Sequence, residues 1–306
     1  MAVKELKVES GETKTIPCVV SPDNDRIPQC VFGGYRVLRY AILVGLVMLA
    51  PLSTRAFGQE PKSESKEETI KIRWYGQSFF QIETSKRFKI VFDPHAIPFF
   101  ERPLVKADYV LISHLHNDHN QVEILEPQPK ESDVYRGLVE PKPGKQEWKL
   151  INEKRGQITF RNIGTFHDAL NGMQRGKNSI WIVEADGLVF CHLGDLGHEL
   201  TPEQVRAIGK VDVLMVPVGG IYTINGEQAK KVVEQIKPRL YILPMHYGVP
   251  GYDDLVGPDE FLEGQKNVKK MTGTNELIFP VDMKADSPTI VLLGWKKELL
   301  KKEEKK

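Results

Sequence analysis

Residues 114 to 119 read His-Leu-His-Asn-Asp-His, so three of the chain's eight histidines and one aspartate fall within six positions. They follow at once on the apolar run Tyr109-Val110-Leu111-Ile112, the profile of a short buried strand. Imidazole and carboxylate are the ligands that zinc and neighbouring divalent metals take where thiolates are absent. His114 and His116 alternate as on an extended segment and therefore face one way. Asp118 and His119 stand where the chain must turn, and swing toward a second point.

Three later positions repeat the arrangement, each a His or Asp closing an apolar run. Residues 158 to 163 alternate like a strand and lead to His167; residues 188 to 193 lead through Gly194 to Asp195; residues 240 to 245 deliver His246. Taken singly, each reads as a core histidine or a capping aspartate. Jointly they require a fold that gathers several separate strand ends at one place. Six or seven ligands so gathered suit a centre of two divalent ions, since each ion needs three or more protein ligands and an open position for water.

With these residues in hand, the chain resembles the metallo-β-lactamase superfamily, whose pattern is H-x-H-x-D-H, a distant His, a Gly-Asp and a final His. The stretches Trp74 to Phe80, Val91 to Pro94, Val216 to Thr223 and Leu243 to Tyr247 extend the likeness over about residues 68 to 295. It looks closest to the metal-dependent hydrolase branch that includes L-ascorbate-6-phosphate lactonase and is related to N-acylphosphatidylethanolamine phospholipase D. The resemblance implies that His114, His116 and His167 hold one metal, that Asp118, His119 and His246 hold the other, and that Asp195 bridges them. The ions implied are zinc, with manganese or iron as alternatives. Two positions depart from the branch: Gln77 stands where many members carry histidine, and Asp168 where they carry a small residue.

The chemistry expected of such a centre is hydrolysis of a phosphodiester, lactone or similar ester or amide by a metal-bound hydroxide. Asp118 is expected to orient the attacking group and collect its proton, and His198 to protonate a leaving group or contact the substrate. Asp93 is placed to accept a hydrogen bond from a ligand imidazole, with similar work open to His192; Tyr222 and Tyr247 are candidate donors to a substrate oxygen. There is no Gly-x-Ser-x-Gly elbow, and Cys191 sits in an apolar run, where a thiol is inert packing. An iron-dependent oxygenase-type member of the same fold, or a metal-binding module without turnover, are the alternatives.

Apolar and β-branched runs predict strands near 70–75, 78–83, 88–92, 108–112, 158–163, 179–185, 188–192, 212–216, 240–243 and 289–294. Thr201-Pro202-Glu203 predicts a helix to about Ile208, and Asn225 caps a second, with Ala229, Val232, Val233 and Ile236 on one face until Pro238. The fold class expected is α/β, an αββα sandwich of two mixed sheets flanked by helices. Residues 121 to 157, with four prolines among many charges, predict an irregular insertion over the metal edge, and 248 to 257 a second wall.

A net charge of +1 and the lack of a basic stripe argue against a nucleic-acid partner and for a small-molecule substrate. Oligomeric state has no signature. Residues 1 to 58 read as a leader: Arg36 and Arg39 precede the uncharged apolar run 41 to 52, short for a membrane span but suited to a signal-peptide core, with Ala56 and Gly58 at the positions a signal peptidase reads. Export is the expectation, with membrane association through residues 40 to 52 if the leader is uncleaved. The long stretch before the apolar run also fits a start codon further downstream. Residues 59 to 67 read as a polar linker, 68 to 295 as the hydrolase domain and 296 to 306 as a charged tail.

Overall fold

A computed structural model of the chain describes residues 68–100, 104–271 and 273–295. The leader, the linker and the charged tail lie outside the described residues. Among the described residues no helix is long and apolar enough to cross a membrane.

Strands come first. β1 (Thr69–Trp74), β2 (Phe80–Glu83), β3 (Lys89–Phe92) and β4 (Tyr109–Ile112) are followed by β5 (Val134–Arg136), β6 (Leu138–Lys142), β7 (Lys145–Trp148) and β8 (Asn152–Arg155). β9 (Ile158–Phe166), β10 (Lys177–Ala185) and β11 (Leu188–His192) complete the strand-rich part. Helix α1 (Pro202–Ile208), β12 (Val213–Pro217), α2 (Gly226–Ile236), β13 (Tyr241–Met245), α3 (Asp259–Leu262), β14 (Val268–Met271), β15 (Glu276–Pro280) and β16 (Thr289–Leu293) follow.

These strands build two sheets, ordered β15-β1-β2-β3-β4-β5 and β14-β16-β13-β12-β11-β10-β9-β8, with β6 and β7 as a separate hairpin. Both are mixed. β3, β4 and β5 are parallel neighbours in the first, and β11, β12, β13, β16 and β14 in the second. Residues from both sheets share one continuous core, Ile70, Ile72, Trp74, Phe80 and Phe92 from the first with Phe160, Trp181, Ile182, Phe190 and Met215 from the second. Parallel strands buried on both faces read as unbroken apolar runs, which is how Val213–Pro217 and Tyr241–Met245 are written.

The outer layers are unequal. Ala229, Val232 and Ile236 of α2 enter the main core, as the apolar face requires. The other face of the first sheet is covered mostly by connecting segments instead: Val105, Val122 and Leu125 pack on Val91, Val110 and Ile112. The expected αββα sandwich thus holds in its two sheets but is thin in helix.

The stretch 121 to 157 departs from the irregular insertion expected of it. It holds two short 3-10 turns and four strands, of which β5 extends the first sheet beside β4 and β8 extends the second beside β9. Pro141 lies inside β6, which a two-stranded hairpin tolerates because each strand has a free edge. The pairing register shifts between Val139 and Lys142, across that proline. Trp148 anchors the hairpin: its indole N–H donates to Thr165 O and Asn178 O at 3.2 and 3.0 Å, and its ring fills the space a side chain would need at Gly164.

Candidate metal centre

Each expected ligand leaves the carboxyl end of a strand. His114 to His119 follow β4, His167 follows β9, Asp195 follows β11 and His246 follows β13. Ligand atoms of His114, His116 and His167 lie within 4.8 Å of one another, and so do those of Asp118, His119 and His246. Asp195 Oδ2 stands between the two groups, 3.2 Å from His119 Nε2, 3.3 Å from His167 Nε2 and 3.1 Å from His246 Nε2. The structure therefore brings all seven side chains together.

Hydrogen bonds on the far side of the rings fix how they point. Ser113 donates its N–H to Asp93 Oδ1 at 2.7 Å and its hydroxyl to Asp93 Oδ2 at 2.6 Å. With that hydroxyl hydrogen committed, Ser113 Oγ accepts from His114 Nδ1 at 2.8 Å, and Asp93 Oδ2 accepts from His119 Nδ1 at 3.0 Å. Both rings are thus held with the proton on Nδ1 and Nε2 facing inward. Asp93 also lies near His114 and His119 as a third possible triad, but its oxygens are already engaged, so it orients ligands. On Asp195, Ser78 Oγ donates to Oδ1 at 3.1 Å, which turns Oδ2 toward the three imidazoles.

The donor set asks for a cation. Four imidazoles, His114, His119, His167 and His246, are at most 2 % exposed, and the inward Nε2 of His114 has no hydrogen-bond partner. Buried polar atoms left unpaired are costly and rare unless an ion or ligand uses them. Asp93, Asp118 and Asp195 add three carboxylates around the buried His119. Burial disfavours a charge on His119, yet Asp195, Asp118 and Asp93 hold its proton well above the ordinary histidine range. A divalent cation satisfies the same negative charges. Burial opposes ionisation of Asp195, but the charges of His119 and His246 keep its carboxyl well below the usual range. Asp118 behaves alike: burial raises it, the His119 imidazole 3.6 Å away outweighs that, and it falls to about 2. Burial, then the charge of His119, pushes His114 well down; burial, then His167, lowers His116. The carboxylates stay ionised and these two imidazoles neutral, the forms that bind metal.

The backbone is shaped to let the strand ends meet. His246 adopts φ 50° and its N–H donates to Gln77 O at 3.2 Å. Gln77 is itself buried at φ 47°, and its carbonyl also accepts from the Trp74 indole at 2.8 Å. A side chain at Gly219 would stand 2.1 Å from the His246 carbonyl, so only glycine lets β12 and β13 end side by side here.

His198 takes a different place from the one expected. Its Nδ1 donates to Glu199 O at 2.7 Å and its Nε2 accepts from Phe166 N at 3.1 Å, so both ring nitrogens serve the backbone. Gly197 N donates to Phe166 O at 3.0 Å. The pair zips the loop carrying Asp195 to the strand end carrying His167. His192 is also a brace, donating to Ser78 O at 2.9 Å, accepting from Gly194 N at 3.1 Å and stacking on Phe92. Tyr247 is buried and stacks on Trp74, so it packs, while Tyr222 is exposed. Burial drives the Cys191 thiol up to about 12, which leaves it inert. Ser78, Ser113 and Asn178, whose Oδ1 accepts from Asp195 N at 3.0 Å, are site residues the sequence did not single out. Ser113 had one available signal, its place directly before the histidine cluster.

The comparisons agree with this geometry. The model of the Beta-lactamase superfamily domain matches residues 71–246, a span that contains every residue of both triads. A UPF0173 protein of Pyrococcus abyssi is 33% identical over 196 residues, which are 60% of this chain and 85% of that protein. A UPF0173 metal-dependent hydrolase of Thermococcus onnurineus is 30% identical over 195 residues, 58% of this chain and 84% of its own. Among solved structures, a Thermotoga maritima protein named for a Zn-dependent hydrolase of the metallo-beta-lactamase superfamily superposes with a TM-score of 0.57 and 31% identity, covering 74% of this chain and 98% of its own.

Proposed function

The chain belongs to the metallo-β-lactamase superfamily and is a metal-dependent hydrolase of that superfamily; from this premise we propose that it works with two divalent ions, zinc by preference, on a phosphodiester, lactone or similar ester or amide. The observation that carries the reading is the pair of His and Asp triads sharing the Asp195 carboxylate. Zinc is the ion named for the Thermotoga maritima relative, and it suits a set of five imidazoles and two carboxylates.

His114, His116 and His167 would hold one ion, Asp118, His119 and His246 the other, with Asp195 common to both. When bound, the ions acidify water to near neutrality and polarise the oxygen of the bond to be cut. The protein supplies the rest. Asp118 is 46% exposed at its side chain, unlike the buried Asp195, and is held ionised, so it is the group that orients an incoming water and takes its proton. Asp93 and Ser113 keep the rings of His119 and His114 in register throughout. His198 acts through His167 as a positioning residue and touches no reacting atom.

Bis(p-nitrophenyl) phosphate and a simple aryl lactone are the first probes. Turnover of either by the purified chain should stop with a chelator and return with zinc. Asp118→Asn should lower kcat by about 100-fold or more and also weaken retention of the ion that Asp118 helps to hold. Turnover that survives complete metal removal would refute the reading.

A further inference from the structure

The loop that leaves His167 returns to it. His167 N donates to Gly176 O at 3.0 Å, closing residues 168 to 176 into a compact loop. Asp168, 5 % exposed, fills its centre: Oδ1 accepts from Leu170 N and Gly172 N at 2.7 and 3.0 Å, and Oδ2 from Gln174 N and Arg175 N at 3.0 and 2.8 Å. One carboxylate thus ties down four backbone N–H groups. At its base the loop is locked to the Asp195 loop, since a side chain at Gly197 would stand 2.3 Å from Asp168 N.

What this rigid loop presents is apolar. Leu170 is 49 % exposed and Met173 84 %. A second loop begins at Gly219, against the His246 carbonyl, and presents Ile221 and Tyr222, each 46 % exposed. Arg175 joins the two loops, donating to Ile221 O at 3.3 Å with its guanidinium 5.4 Å from the centre of the Tyr222 ring. Single exposed aliphatic side chains are ordinary. Here four exposed apolar side chains stand on two loops joined by Arg175, one leaving directly from His167 and the other starting against the backbone of His246.

We propose that these loops form a preformed apolar wall for the substrate, so that the bond cut at the metal centre belongs to an amphipathic molecule with an anionic or ester head and an alkyl or aryl substituent lying on Leu170, Met173, Ile221 and Tyr222. Asp168 is the positioning residue of that wall. The inference rests on the proposed hydrolytic centre and adds the substrate class to it. Ordering the loop in advance removes an entropic cost that a flexible wall would meet on binding.

Alkylphosphonates test it without turnover, the phosphonate standing in for the head group. Binding of methyl-, butyl- and octylphosphonate to the zinc-loaded full chain is measured by calorimetry. Affinity should rise with chain length, octylphosphonate binding about 30-fold or more tighter than methylphosphonate, allowing for partial burial of each methylene. Leu170→Ser and Met173→Ser, at exposed positions where folding is not at stake, should each shrink that ratio severalfold, and Asp168→Asn should do the same by releasing the N–H groups of Gln174 and Arg175. Equal affinity along the series, or a ratio unmoved by Leu170→Ser and Met173→Ser, overturns the wall while leaving the hydrolytic centre standing. Failure of all three phosphonates to bind overturns both.

Discussion

Asp93 shows how much of this site is decided one residue behind the ligands. Its two oxygens serve Ser113, and through Ser113 and His119 they fix two of the imidazoles. Replacing it with Asn puts an amide N–H₂ where an acceptor is needed, so we expect Asp93→Asn to weaken metal binding by 10- to 100-fold, read by competition with a chromogenic chelator. Unchanged affinity would mean that His119 needs no such partner. The ligands themselves were legible because histidine and aspartate at the ends of apolar runs are unusual and metal chemistry explains them together. Ser78 and Asn178 were not, since a buried serine or asparagine has no pattern that separates a site role from packing. His198, three positions past Asp195, invites a chemical role in the sequence; the structure shows its two nitrogens held by Glu199 and Phe166 backbone.

Elements were legible where local rules and burial agreed. Thr201 and Asn225 are both caps by their sequence context, and each closes a reciprocal box with a glutamine three residues on. For α2, Asn225 Oδ1 accepts from Gln228 N at 2.9 Å and Gln228 Oε1 from Asn225 N at 3.1 Å. Asn225→Ala should therefore cost about 1 kcal/mol, seen as a Tm lower by about 2–4 °C. The strands of 138 to 155 escape a sequence reading because they are short, largely polar and exposed, so alternation carries no apolar signal; their pairing partners are what make them strands. Across β15, β1 and β2 a partly buried charge network adds a pH dependence. Arg73 pairs with Glu83 at 3.0 Å and with Glu276, and Arg87 also bonds Glu83. Burial raises Glu83, but the hydrogen bonds from Arg87 and Arg73 outweigh it and leave the carboxyl below its ordinary 4.5. Because the folded group titrates below the unfolded one, its contribution is complete above about pH 4.5 and is lost as pH falls through the lower folded value. In urea titrations Glu83→Gln should be the less stable chain at pH 7, and the gap should close on acidification; a gap that is constant or widens toward acid would contradict this assignment.

At the scale of the whole molecule, two mixed sheets sharing one core bring the ends of β4, β9, β11 and β13 to one edge, which is why ligands so far apart in sequence meet. That convergence was legible from the ligand types, whereas the thin helical layer was not, because the segments that cover the first sheet carry only isolated apolar residues such as Val105, Val122 and Leu125. The leader of residues 1 to 58 lies outside the described residues, and its expected cleavage after Gly58 is read directly by intact-mass analysis of chain secreted from an exporting host: a mature chain starting at Gln59 is the expected product, and an intact leader would point to an anchor. The central claim is the paired centre. Elemental analysis of the purified full chain, beside Asp195→Ala, tests it most directly. We expect two zinc ions per chain, with at least one lost when the shared carboxylate is removed. One ion or none in the unaltered chain, or two ions undiminished in the variant, would contradict the account.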